Sequence, residues 1–383
     1  HLVLFLSLCT LTACNDSKNE DSIDPDPLPP SITYHVEGYA ELGAFDHNST
    51  LTVFPLDKSL AHIEEQAYGG KVETDYGLFS ASGNMKFQES LYFEVQVTGN
   101  FFNGTKGRRS EHKTTLRAIN HVINHDDEER SINRYIKLPA TNVNIFAQLT
   151  AARICTLLKK AAGYNEMSHT ITDIYRNASE QALKEVLTAF SISDIYVSML
   201  SIDPTRASFS QYNAPASMMA AVSNILLTSV DEELLDTFFT EWDKDFAPDG
   251  RIDNEDIKES IRDGQQSLKY TNVYKQLDSF YKAYDFKSDF PEFWKFVDRN
   301  GDGILDKQDK PDDFEITEEE LTPSKQQCIQ LLEQVNKRSA YGKPTSVVPS
   351  APFPTIPLRW FPQTAKCTKY GLPPTLLSVN AII

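Results

Sequence analysis

The stretch from Asp298 to Asp309 is the segment of the sequence in which the spacing of the side chains alone predicts a chemistry. Oxygen-bearing side chains occupy its positions 1, 3, 5, 9 and 12, and a glycine stands at position 6. Ca²⁺ prefers about six to eight oxygen ligands, and a twelve-residue loop with this spacing can turn its side chains inward around the ion. Four carboxylates this close together would repel one another without a cation. The spacing therefore predicts a calcium site with these ligands: Asp298, Asn300, Asp302, Ile304 (through its carbonyl), Asp306 and Asp309.

A second acidic stretch, 243–256, fits the same pattern less well. Residues 249–256 match the latter half of a calcium loop, but the first half would need two inserted residues. The alternative, which we favour, is a helix end, a Pro-Asp-Gly turn and an N-cap at Asp253, because it explains every residue without a metal. If a second Ca²⁺ bound here, its candidate ligands would be Asp243, Asp245, Asp249, Arg251 and Asp256.

Three histidines raise the question of a zinc site. His112, His121 and His125 precede an acidic run at 126–129, and imidazole and carboxylate groups are zinc ligands. His121 and His125 would face the same side only on a helix, whereas the residues before them alternate as in a strand. We therefore favour a solvated acidic loop over a zinc site.

The start of the chain indicates export. Its apolar run is too short to cross a bilayer and matches the core of a signal peptide, so residues 1–13 are predicted to be a truncated signal peptide. Leu11-Thr12-Ala13-Cys14 resembles the bacterial lipobox, and by that resemblance Cys14 becomes the lipidated first residue; the alternative is an ordinary signal peptide with an incidental cysteine. Residues 14–30 are acidic and Pro-rich, which predicts a disordered tether. The expected location is the bacterial cell envelope, lipid-anchored at the outer membrane or cell surface.

The net charge bears on the class of partner, and the cysteine content bears on disulfide bonds. The formal net charge of −17 argues against nucleic acid as a partner, since binding it requires basic patches. Once Cys9 and Cys14 are set aside, Cys155, Cys328 and Cys367 remain. This odd number predicts no disulfide framework, although a Cys328–Cys367 bridge stays open.

Residues 31–138 alternate between apolar and polar side chains, which indicates half-buried strands. Such strands, with turns and no helical pattern between them, predict an antiparallel β-sandwich. The strand candidates are Ile32–Ala40, Leu51–Phe54, Lys71–Ser80, Leu91–Val97, Thr114–Ile123 and Ile132–Leu138. The predicted turns are Gly69-Gly70, Ser82-Gly83-Asn84 and Asn103-Gly104.

Four marks in this region occur in an order that resembles prealbumin-like domains, which include the regulatory domain of carboxypeptidases and modules of bacterial surface proteins. They are Val36–Ala40, Leu51–Phe54, Thr74–Phe79 and Tyr92–Gly99. In the third mark, Gly77 would permit a tight turn that places Phe79 in the core. The resemblance implies a binding or spacing module without catalytic residues of its own.

Residues 139–289 change to the helical period, which predicts an all-α domain. Asn142 is the predicted N-cap of its first helix, and a stripe containing Met218 and Met219 is expected in the core. The predicted helices are Val143–Lys160, Ala178–Phe190, Pro215–Val230, Glu232–Phe246, Asn254–Arg262 and Ser267–Tyr284. The remaining segments are 290–314, which carries the calcium loop, 315–341, a further helix, and 342–383, a disordered Pro-rich tail.

The calcium loop has no symmetric second helix, because Pro311 interrupts any helix that leaves it. It resembles the EF-hand-like loops of thrombospondin type 3 and dockerin repeats. Asp309, shorter than the usual Glu at position 12, predicts an affinity of about 10⁻⁴–10⁻³ M and a structural role. As a whole, Val36–Phe314 is similar to uncharacterised bacterial surface lipoproteins, a resemblance that implies architecture and location but no known activity.

No enzyme is expected from the motifs. The sequence has no Gly-x-Ser-x-Gly elbow, no His-Glu-x-x-His pair and no phosphate-binding loop. The interpretation is a non-catalytic, calcium-binding surface lipoprotein that acts as a binding or spacing module. Its partners would be the membrane, through lipidated Cys14, and an unidentified extracellular protein or glycan. An envelope-associated metal-dependent hydrolase and a purely structural linker protein are the alternatives.

Overall fold

The computed structural model describes residues 33–84, 91–122, 135–166, 171–284 and 289–311. Its first half is built from strands and its second half from helices, so the predicted β-then-α order is confirmed. The strands are β1 Thr33–Glu41, β2 Thr50–Leu56, β3 Tyr68–Val72, β4 Leu78–Asn84, β5 Tyr92–Gly99, β6 Phe102–Asn103, β7 Arg108–Arg109, β8 Thr114–His121, β9 Tyr135–Lys137 and β10 Val143–Asn144.

The helices follow β10 without a linker. They are α1 Ile145–Lys160, α2 Ile171–Ala189, α3 Ile195–Leu200, α4 Ala214–Ser229, α5 Leu235–Phe246, α6 Glu255–Ser267 and α7 Tyr270–Lys282. Short 3₁₀ turns lie at Glu64–Gln66, Glu232–Leu234, Trp294–Phe296 and Lys307–Asp309. The 3₁₀ turn at Trp294–Phe296 lies just before the predicted calcium loop.

The main sheet is mixed rather than purely antiparallel. Its strand order is β10-β1-β4-β3-β2-β5-β8, and β9 also pairs with β1. β1 pairs in parallel with β9 through Thr33 and Tyr135 and with β10 through Ala40 and Val143, whereas the other pairings are antiparallel. The prediction of an all-antiparallel sheet is therefore wrong at β1, because two later segments return to its free edge.

The predicted strand Lys71–Ser80 is wrong, because the chain reverses inside it. β3 ends at Val72 and β4 begins at Leu78, and the Glu73 N–H donates to the Leu78 carbonyl at 2.7 Å. Gly77 sits in the turn with φ of +89°, where a Cβ would lie 2.4 Å from the Ala40 carbonyl oxygen. The expectation that Gly77 turns the chain and buries Phe79 is confirmed.

Two of the three predicted glycine turns lie inside strands. Gly70 belongs to β3, and a Cβ there would lie 3.1 Å from the Ala81 side chain. Gly83 belongs to β4, and a Cβ there would lie 2.2 Å from the Tyr68 ring. Both glycines leave room for a neighbouring side chain, whereas the turn at Asn103-Gly104 between β6 and β7 is confirmed.

The predicted helices differ from the observed ones mainly at their ends. Asn144 caps α1 by accepting the Ala147 N–H at 2.9 Å, whereas Asn142, the predicted cap, accepts the Tyr39 N–H at 2.9 Å. The second helix starts at Ile171 rather than Ala178, and the short α3 was not predicted. The core position of the methionine stripe in α4 is confirmed.

Sheet and helices share one hydrophobic core. A single cluster of buried side chains contains Val53 and Phe79 of the sheet, Trp242 of α5 and Phe296 beyond the helices. A smaller cluster joins Tyr92 and Ile119 on the opposite face of the sheet to α1 and α2. The predicted boundary near residue 139 therefore does not separate two hydrophobic cores.

Candidate calcium loop and neighbouring charged sites

The predicted calcium loop contacts the hydrophobic core at two places, just before its first residue and at Leu305. Phe296 and Val297 immediately before it are buried, and so is Leu305 within it. Ile304, next to Leu305, is 46% exposed. Apolar packing therefore holds the loop at its beginning and at its eighth position.

Asp298 organises the first half of the loop from a buried position. Its side chain accepts the Gly301 N–H and the Gly303 N–H, each at 2.9 Å, through its two different oxygens. Gly301 and Gly303 have φ of +71° and +77°. Among the described residues, no atom beyond its own chain neighbours lies within 4 Å of a Cβ built on Gly303, so the positive φ, not a lack of space, is the reason for glycine at position 6.

Asp309 closes the loop on its own beginning. One of its oxygens accepts the Arg299 N–H at 2.8 Å and the Asn300 N–H at 3.3 Å, and the other accepts the Asp306 N–H at 2.9 Å. Burial raises the pKa of Asp309, these three amides oppose the increase, and the nearby Asp298 carboxylate adds to it. Positions 1 and 12 of the loop thus bring two buried carboxylates together.

The remaining candidate side-chain ligands of the loop are exposed and hydrogen-bond to the backbone. Asn300 accepts the Asp302 N–H at 2.9 Å, and Asp302 accepts the Ile304 N–H at 2.8 Å. Asp306 accepts the Gln308 N–H at 2.7 Å in a capping box with Asp309. Within the described parts of the chain, no group of three or more His, Cys, Asp and Glu side chains converges as metal ligands do.

The second acidic stretch, 243–256, has the contacts of a turn with helix caps. Asp245 accepts the Asp253 N–H at 2.8 Å and the Asn254 N–H at 3.1 Å, and Asp249 accepts the Arg251 N–H at 3.0 Å. The N-cap of α6 is Asn254, one residue after the predicted Asp253. These contacts agree with the turn alternative. Of the other two candidate ligands, Asp243 pairs with Arg117 of β8 and Asp256 lies exposed in the first turn of α6.

An arginine that the sequence analysis did not identify holds this turn. Arg153 of α1 is buried, and its guanidinium donates to both carboxylate oxygens of Glu185 at 2.7 and 2.9 Å. The same group donates to the carbonyls of Ala247 and Pro248, where α5 ends, at 3.1 and 2.9 Å. A charged residue inside the apolar stripe of the first predicted helix was the available signal. Arg153 therefore ties α1, α2 and the end of α5 together.

The histidines do not form one metal site. His112 and His121 stand nine residues apart, before and at the end of the extended strand β8, which separates them by about 30 Å. His121 is buried and stacks on Tyr175 with ring centroids 4.7 Å apart. Burial lowers the pKa of His121 to about 4, so it is a neutral core residue at neutral pH. His125 lies outside the described residues.

A charged network between the sheet and the helices was also missed. Glu94 of β5 is buried and binds His62 at 3.1 Å and Arg117 at 3.5 Å. Burial would raise the pKa of Glu94, but its contacts with His62, Arg117 and Gln96 lower it on balance. Arg117 also pairs with Asp243 of α5, so the network joins the sheet to the helices. Nearby, burial raises the pKa of the Cys155 thiol to about 11. A protonated thiol such as Cys155 is a poor nucleophile.

Several predictions fall outside the described residues. These are the signal peptide 1–13, lipidated Cys14 and the tether 14–30, the helix 315–341, the tail 342–383 and the Cys328–Cys367 bridge. None of the described helices combines the length and apolar character needed to span a bilayer. Comparisons with protein families, characterised proteins and solved structures found no match to this chain.

Proposed function

We propose that this protein is a non-catalytic, calcium-stabilised module of the bacterial cell surface, anchored through a lipid on Cys14. In this proposal the loop 298–309 is EF-hand-like and holds one structural Ca²⁺, and the β region is a prealbumin-like module. The module either binds an extracellular protein or glycan or acts as a spacer at the cell surface. Its support is the sequence pattern together with the carboxylate geometry of the loop.

The observation that carries the calcium proposal is the pair of buried carboxylates at positions 1 and 12. Asp298 is 2% exposed and Asp309 is fully buried. Among the described residues, no Lys, Arg or His side chain forms an ion pair with either of them. Burying like charges without a counter-ion is costly. A divalent cation between the two ends of the loop would offset this repulsion, which is why we assign the site to Ca²⁺.

The packing of the loop against the core favours a structural role over a sensing role. A sensor needs a bistable element that opens when the ion binds. Here Val297 and Leu305 pack in the same core as the sheet and the helices. A bound ion would therefore stiffen the end of the helical region and leave its helix packing unchanged.

Thermal unfolding of the full chain in calcium and in chelator tests the proposal. At a calcium concentration of about 100 times the Kd, one site stabilises the fold by about 2.7 kcal/mol, or roughly 5–10 °C in Tm. Asp302→Ala should abolish this shift, since Asp302 is an exposed ligand at position 5 whose loss leaves the core packed. Asp263→Asn, an exposed carboxylate on α6, is the control and should keep it.

Two results would refute this assignment. A calcium shift of equal size in Asp302→Ala and in the unmodified chain would place the ion elsewhere. No calcium shift in the unmodified chain would remove the metal from the account altogether.

A further inference from the structure

Glu41 is a buried carboxyl group that the calcium proposal does not use. It ends strand β1 and is fully buried. Its neighbours are the connection between α3 and α4, which contains Ser208 and Phe209, and helix α7, which contributes Tyr281. This carboxyl therefore lies where the sheet, the connection and the last helix meet.

The hydrogen bonds of Glu41 come from neutral donors. Ser208 Oγ lies 3.1 Å from one carboxylate oxygen, and the Phe209 N–H donates to the other at 3.1 Å. No basic side chain pairs with Glu41 among the described residues, whereas buried Glu94 has Arg117 and buried Glu232 has Lys106. An ionised Glu41 would be a buried charge without a counter-ion, which is strongly unfavourable.

The same contacts suit a protonated carboxyl group. The carbonyl oxygen of the acid can accept the Phe209 N–H, and the acid O–H can donate to Ser208 Oγ. The Ser208 hydroxyl can then turn and donate to Ser210 Oγ, which lies 2.8 Å away. When Glu41 carries a proton, both of its oxygens and the Ser208 hydroxyl each have a hydrogen-bond partner.

We propose that Glu41 is held as the neutral acid in the folded protein and acts as a proton-controlled latch on the segment 208–212. Loss of its proton favours an open form in which this segment leaves β1 and the Glu41 carboxylate reaches water. The proton passes to solvent, and no covalent bond other than O–H changes. This latch is independent of the calcium proposal.

The two halves of the connection between α3 and α4 are held differently, which limits the opening to the second half. Asn144 donates to the Pro204 and Ala207 carbonyls at 2.9 and 2.8 Å, and Asn142 donates to the Ala207 carbonyl at 3.0 Å. In the described part of the chain, residues 208 and 209 instead hydrogen-bond to the sheet through the Glu41 side chain, while the Phe209 ring packs against Tyr281 and Phe290. Opening of 208–212 would therefore expose Phe209 while the first half of the connection stays in place.

The described titratable groups around Glu41 supply no charge that pairs with it, so the latch depends on the protonation of Glu41 itself. On β1 the neighbour is Tyr39, and on α7 it is Tyr281; burial raises the pKa of both, and a charge on Glu41 would raise both further. The connection contributes the hydroxyls of Ser208 and Ser210. Arg109 also influences Tyr281 but forms its ion pairs with aspartates.

The pH window of the latch follows from linkage. Burial raises the pKa of Glu41 from 4.5 to about 8, and the bonds from Phe209 and Ser208 oppose this only in part. Because the folded pKa is the higher one, the closed form holds an extra proton between these two values. Its stability relative to the open form therefore falls as pH rises from about 4.5 towards 8, by about tenfold in the equilibrium constant per pH unit.

Amide hydrogen exchange of the full chain measures this latch directly. Exchange is base-catalysed, so the rate of an ordinary amide rises about tenfold per pH unit. If opening also becomes about tenfold more favourable per unit, the Phe209 amide should gain about 100-fold per unit between pH 5 and 7.5. Glu41→Gln should return this gain to about tenfold. Glu232→Gln, at a buried carboxyl paired with Lys106, should leave it near 100-fold.

Three outcomes would overturn the proposal. One is a tenfold gain for the Phe209 amide in the unmodified chain, which needs no variant to interpret. Another is the same gain in Glu41→Gln as in the unmodified chain. The third is exchange of Phe209 at the rate of the buried amide of Leu226 in α4, which would mean that only global unfolding exposes the segment.

Discussion

Replacing Arg153 with Met should strongly destabilise the fold. The change keeps an apolar stem but removes the four hydrogen bonds that the guanidinium makes to Glu185, Ala247 and Pro248. Removing one partner of a buried ion pair costs about 3–5 kcal/mol. Because the Glu185 side chain is 20% exposed and keeps a bond from Gln181, the lower end applies. We expect a loss of about 3 kcal/mol.

Urea unfolding of the full chain, followed by tryptophan fluorescence, is a suitable assay because Trp242 is fully buried in α5. Arg176→Met is the matched control: Arg176 lies on α2, is 64% exposed and pairs with exposed Asp173. Such surface pairs contribute about 0–1 kcal/mol. A loss for Arg153→Met no larger than that of the control would refute the assigned role of Arg153.

The same pair of variants separates the two interpretations of the stretch 243–256. If Arg153 holds a metal-free turn, the loss caused by Arg153→Met should be the same in calcium and in chelator. A loss that shrinks in calcium by more than the shift seen in Arg176→Met would mean that an ion organises this turn. That result would favour the second calcium site over the turn.

The remaining predictions concern a buried histidine and a helix crossing. His121 has a folded pKa of about 4, below its ordinary 6.5, so its stabilising contribution is present above pH 6.5 and is lost as pH falls towards 4, by up to about 3 kcal/mol. His121→Gln should flatten the acid side of the stability profile in urea titrations, and an unchanged profile would contradict the assignment. Gly264→Ala should lower the free energy of unfolding by about 2 kcal/mol, although alanine has the better helix propensity. The reason is that the added Cβ would lie 2.3 Å from the Ile225 carbonyl oxygen. A gain in Tm would instead show that α4 and α6 separate easily.

Features that depend on local periodicity were predicted well. The helix α4 was placed within one residue at each end, because its apolar stripe is continuous and Asn213 caps it. Gly77 was identified as a turn from its place in the Thr74–Phe79 mark, and its φ of +89° agrees with that. Gly70 was wrongly assigned to a turn. Glycine leaves room there for the Ala81 side chain of the neighbouring strand, and the local sequence does not show that contact.

Features that depend on long-range pairing could not be predicted. The parallel return of β10 to β1 joins residues about 100 positions apart, and nothing in the local pattern of Val143 indicates it. The turn held by Arg153 and the burial of Glu41 depend on partners in distant elements in the same way. The loop 298–309 is different, because its candidate ligands are defined by spacing within twelve residues. Its likeness to a calcium loop was therefore visible in the sequence, and its buried carboxylate pair was not.

Calcium binding to the full chain by equilibrium dialysis tests the central proposal most directly. The account predicts one site with a Kd of about 10⁻⁴–10⁻³ M, lost in Asp302→Ala and retained in Asp263→Asn. Binding that is equal in both variants, or absent from the unmodified chain in this concentration range, would contradict it.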